Sequence, residues 1–104
     1  MTATVIHQPR VAWDGACAFV RVAATPAYPV FADYVREWLG PQAFADLEET
    51  RERVFANLVW NDGDRYCTDI EAGKWRVRLE DLLRHRPDLT ATIIELTAMA
   101  PRRS

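Results

Sequence analysis

The sequence predicts one α+β domain over residues 1–104, with a mostly antiparallel sheet of about five strands covered by a helical pair. Three observations predict it. Two consecutive amphipathic stretches run from 29 to 39 and from 41 to 60, hinged at Gly40-Pro41. β-Branched and aromatic residues concentrate at 3–8 and 16–24. Apolar and basic residues alternate strictly over 74–79, the pattern of a half-buried strand.

In the first helix Val30, Phe31, Tyr34, Val35, Trp38 and Leu39 share one helical face, with Asp33, Arg36 and Glu37 opposite. Pro29 suits a first helical turn, where its missing N–H costs nothing. Gly40 ends the helix, because glycine adopts the required backbone cheaply. Pro41 then opens a second helix whose stripe is Phe44, Leu47, Val54, Phe55, Leu58 and Val59. Glu49 and Arg53 are spaced for an i,i+4 ion pair. Both stripes need another surface to cover them, and the flanking segments are the expected cover.

Upstream, 3–8 and 16–24 read as strands joined by a turn at Trp13-Asp14-Gly15, with Cys17 to Val22 apolar enough for a central strand. Downstream, Asn61-Asp62-Gly63-Asp64 is a turn signal. Residues 65–70 and 74–79 read as a hairpin around Glu71-Ala72-Gly73, followed by a short helix over 79–86. The stretch 89–99 fits a helix by the spacing of Leu89, Ile93 and Leu96. Its β-branched content favours a strand, which is the reading adopted. Residues 101–104 read as a frayed basic tail.

The 49% hydrophobic and 27% charged fractions are those of a folded protein rather than a disordered one. Residues 1–10 lack the basic start and apolar core of a secretory signal, so a cytoplasmic location is expected. Cys17 and Cys67 then read as reduced thiols, although a disulfide between them stays open. The net charge of −2 conceals an asymmetry: residues 33–64 carry eight acids against three arginines, and 65–104 carry eight basic residues against six acids. The acidic middle argues against nucleic acid on that face. Arginine far outnumbers lysine, of which Lys74 is the one example, and alanine is abundant. That usage suggests a GC-rich bacterial or phage genome.

No catalytic signature emerges. Ser104 is the one serine, and no phosphate-binding glycine loop occurs. His7, Cys17, Cys67 and His85 each stand alone, without the close ligand pairs of a zinc site, so no metal and no cofactor are expected. A Cys–His dyad among the four stays open as an enzymatic alternative. Gly63 falls too early for a calcium loop.

Five residues are singled out as partner-binding candidates. Arg51 falls inside the apolar stripe of the second helix; it either snorkels beside a core-edge carboxylate or marks an interface, where Arg is enriched. Trp60 sits at a helix end beside a polar turn, placed for an exposed anchor. Lys74, Arg76 and Arg78, joined by Arg65 and by Arg84 or Arg86, would form a basic strand edge.

The run from Gly73 to Leu83 resembles the wing strand and following helix of excisionase-type winged-helix DNA-binding domains. The resemblance covers about a tenth of the chain and implies a short helix-turn-helix ahead of the wing. Here one long acidic helix stands in that place. The expected function is therefore a small non-enzymatic protein-binding accessory factor of bacterial or phage origin, of the inhibitor, immunity or chaperone kind, an anti-CRISPR-like antagonist being one version. The alternative is a nucleic-acid-binding regulator using the 65–86 hairpin and helix. The expected partner is another protein, with nucleic acid second and a homodimer left open.

Overall fold

The computed structural model describes residues 8–60 and 65–101, and every regular element among them is helical. Helix α1 spans Gln8–Val22, α2 Tyr28–Leu39, α3 Pro41–Trp60, α4 Arg65–His85 and α5 Thr90–Met99, with a 3₁₀ turn at Pro87–Leu89 before α5. The expected α+β sheet is overturned. Strand 16–24 lies largely within α1 and the hairpin 65–79 within α4. The short helix expected over 79–86 is the end of α4, and 89–99 is the 3₁₀ turn's last residue followed by α5. Residues 3–7 and the Asn61–Asp64 turn lie outside the described residues.

Each error has a physical source. The run Cys17 to Val22 is buried on nearly every side, and a fully covered helix shows no more periodicity than a fully covered strand. α1 is the centre of the bundle, packed against α4, α5 and α3. Its small residues Ala12, Gly15 and Ala16 allow close approach. Gly15 is a contact point rather than a turn: a Cβ there would sit 3.0 Å from Ile93 Cγ2 and 3.1 Å from Leu79 Cδ1.

In α4 the period-2 alternation over 74–79 is coincidental. The inward residues are Glu71, Ala72, Trp75, Leu79 and Leu83, of which the four large ones form an i,i+4 series. Val77, which the strand reading places inward, is exposed. Gly73 is mid-helix with a right-handed backbone, not a hairpin glycine. In α5, Thr90, Ile93 and Leu96 are buried at helical spacing, so burial overrides the strand propensity of the β-branched residues. The Thr90 hydroxyl also donates to the Pro87 carbonyl at 2.7 Å, bracing the turn into this helix.

The helical pair is present as α2 and α3, and Gly40 separates them at φ +105°. Its N–H donates to the Arg36 carbonyl at 3.1 Å, and its carbonyl accepts from Phe44 N–H at 3.2 Å. The two helices run back along each other, so Arg36 lies over the Phe44 ring and Arg51 over the Tyr28 ring. α2 has 12 residues and α3 has 20, so the C-terminal part of α3 runs on past the start of α2. The described residues extend over 52 × 25 × 25 Å. No helix among them is long and apolar enough to cross a membrane.

The core joins Phe19, Phe31 and Trp75, with ring centroids 5.2 Å apart for Phe19–Phe31 and 4.8 Å for Phe19–Trp75. At its edge Glu71 is buried but not isolated. Its carboxylate accepts from Arg53 Nη1 at 3.3 Å and from Lys74 Nζ at 3.2 Å. At the other end of α1, Arg21 Nε donates to the Pro101 carbonyl at 2.8 Å, so the first residue of the expected tail is tied down.

Candidate protein-binding surface

The surface follows from the length of α3. Beyond Val54 this helix leaves the shelter of α2, and its last six residues remain strongly apolar. Phe55 is 39% exposed, Leu58 47%, Val59 71% and Trp60 80%. A helix apolar on several sides is ordinarily buried on several sides. Here the polar Asn57 turns inward and is buried, while the apolar residues around it face solvent.

Beside it lies a cleft of about 580 Å³ between α1, α3 and α4. Val20, Ala24, Val54, Leu58 and Ala72 form its apolar lining, with Cys17, Arg21, Asn57, Thr68 and Asp69 as its polar groups. Leu58 is therefore shared between the cleft and the exposed end of α3. Burial pushes the Cys17 thiol up, as do Asp14 and Asp69, against the opposing charge of Arg21. That direction disfavours the thiolate a nucleophile requires. Cys67 and His85 stand at opposite ends of α4, about 27 Å apart along its axis, so they form no dyad. Both thiols are free and half-buried, and His7 lies outside the described residues.

The five candidate residues are not brought together. Arg51 is held between two rings, its guanidinium carbon 4.7 Å from the Tyr28 centroid and 4.7 Å from that of Phe55. Its Nε is buried without a hydrogen-bond partner, and the aromatic faces supply the compensating attraction. Trp60 stands exposed at the tip of α3.

The basic edge does not form, because a helix turns Arg76 away from Lys74 and Arg78. Lys74 pairs with Glu71, Arg76 with Glu80 at 3.3 Å, and Arg78 with Asp46 at 3.8 Å. The Arg78 guanidinium also lies over the Trp75 ring, 5.1 Å from its centroid. Arg84 pairs with Asp81 and Arg86 with Asp88. The wing-like run Gly73 to Leu83 lies entirely within α4 and contains no strand.

Sequence reasoning missed Tyr28, which sits below both Arg51 and Glu48. Its hydroxyl donates to the Glu48 carboxylate, and its ring supports Arg51, which in turn supports Phe55. No local signal marks this role, because Tyr28 precedes the proline that announces α2. No family model, curated protein or solved structure matches the chain.

Proposed function

We propose that this chain is a non-enzymatic protein-binding accessory factor of the inhibitor, immunity or chaperone kind, docking through the projecting end of α3. The supporting observation is the joint exposure of Phe55, Leu58, Val59 and Trp60 on one helix end. Val59 and Trp60, adjacent at the helix tip, are 71% and 80% exposed, and exposed apolar surface of this kind marks interaction sites. Tryptophan beside aliphatic neighbours is the usual composition of an interface anchor. The nucleic-acid alternative loses its hairpin, and the cations it would use are paired with acids on their own or a neighbouring helix.

The test is affinity capture from the source organism with the wild-type chain and a Val59→Ser/Trp60→Ser variant. A partner held by the wild type should be lost from the variant, whose thermal midpoint stays unchanged because both residues are exposed. A partner held equally by both proteins places the binding surface elsewhere. Capture of no protein by the wild type removes the reading.

A further inference from the structure

The outer side of α3 carries a second pattern. At about 100° per residue, Glu48, Glu52, Phe55 and Val59 fall on one stripe, about 17 Å long at the helical rise. All four are exposed. The stripe divides into an acidic half and an apolar half. Among the described residues neither Glu48 nor Glu52 has a cation within ion-pair distance, whereas Glu49 is paired with Arg53 at 3.2 Å.

Two of the four positions are held in place from the α2 side. Tyr28 donates to Glu48, and Arg51, stacked on Tyr28, packs against Phe55. A surface ordered before binding loses less entropy on docking.

We propose that the occupant of this stripe is a basic amphipathic helix of another protein, with an apolar pair against Phe55 and Val59 and Lys or Arg against Glu48 and Glu52. This rests on the reading of α3 as a partner-binding helix and adds the chemistry of the partner. Charge complementarity selects it over a second copy of this chain. In full antiparallel self-pairing Glu48 would face Val59 and Glu52 would face Phe55, burying each carboxylate against an apolar side chain with no cation. Parallel self-pairing would set Glu52 against Glu52. A foreign helix with one basic and one apolar end satisfies both halves in either direction.

The probe is a fluorescein-labelled helical peptide of leucine, alanine and lysine, with a leucine pair at one end of its stripe and a lysine pair at the other. A counterpart replaces each lysine with glutamate. Anisotropy titrations should show the lysine peptide binding and the glutamate peptide failing to bind. Affinity should fall about tenfold in Glu48→Gln/Glu52→Gln, as for two exposed charge pairs. It should fall similarly in Val59→Ser and stay unchanged in Glu95→Gln, an exposed acid on α5. Equal binding of both peptides overturns the basic partner while leaving a protein-binding α3 intact. An equal loss in Glu95→Gln reduces the effect to general attraction and overturns it too. So does failure of the lysine peptide to bind, or sedimentation as a dimer that Val59→Ser dissociates. The reading of α3 itself falls only with the capture experiment.

Discussion

The indole N–H of Trp75 donates to the Thr50 hydroxyl at 2.7 Å, joining α4 to α3 inside the core. That hydroxyl has one proton to give, with the Asp46 carbonyl at 3.1 Å and the Glu71 carboxylate at 3.4 Å as acceptors. Glu71 is in turn held by Arg53 and Lys74. A buried threonine therefore connects the aromatic core to an ion-pair cluster at its edge.

Replacing Thr50 with valine keeps the shape and leaves the buried indole N–H without an acceptor, at a cost of about 1–3 kcal/mol. Thr50→Ser keeps the hydroxyl and removes one methyl group, costing about 1 kcal/mol. Urea unfolding of the two variants checks the order. Equal losses would mean that the hydrogen bond contributes nothing beyond packing.

Three glycines should respond in different directions to a side chain. Nothing lies within 4 Å of a Cβ added at Gly73, so Gly73→Ala should gain about 0.5–1 kcal/mol from helix propensity and a less flexible unfolded chain. Gly40 has φ +105° and ψ 171°, a region almost confined to glycine, so Gly40→Ala should lose about 1–3 kcal/mol. Gly15→Leu forces side-chain atoms into Ile93 and Leu79 and should lose about 1–3 kcal/mol or more through overpacking. Thermal midpoints should rise for Gly73→Ala and fall for the other two. A fall for Gly73→Ala would contradict a continuous α4.

Tyr28 should confer an alkaline limit on stability. Burial pushes its phenol well above the ordinary range, helped by the hydrogen bond to Glu48 and that carboxylate's charge, against the opposing charge of Arg51. The unfolded chain releases the same proton near about pH 10, while the folded chain retains it. The associated stability is complete below that pH and declines as pH rises beyond it. Urea midpoints followed from about pH 8 to about pH 11 should therefore fall less steeply in Tyr28→Phe than in the wild type. Parallel curves would mean that the phenol titrates normally.

How much was legible depended on whether an element shows water one clear face. α2 does, so its extent and the stop at Gly40 could be read from residue spacing. In α3 the extent could be read but the buried face could not, because Thr50 and Asn57 are buried while Phe55, Leu58 and Val59 of the expected stripe are exposed. α1 could not, because its apolar run is covered on most sides and period carries no information there. In α4 two patterns competed over the same residues. The alternation of Lys74, Arg76 and Arg78 with Trp75, Val77 and Leu79 suggested a strand, while the wider series Glu71, Trp75, Leu79, Leu83 was the true one. The longer window held the better signal. At the surface, spacing could pick out Trp60 but could not foresee that Lys74, Arg76 and Arg78 would each meet an acid.

By itself the sequence determined the helical hairpin, its glycine hinge, its acidic outer side and the apolar residues at its far end. These are properties of single residues and their local spacing. Only the tertiary structure decided that α1 fills the centre in place of a sheet, that Tyr28 supports Arg51 and Glu48, and that α3 outruns its cover. The physical reason is common to all three. Each depends on which neighbour occupies the space beside a helix, and that neighbour comes from a distant part of the chain.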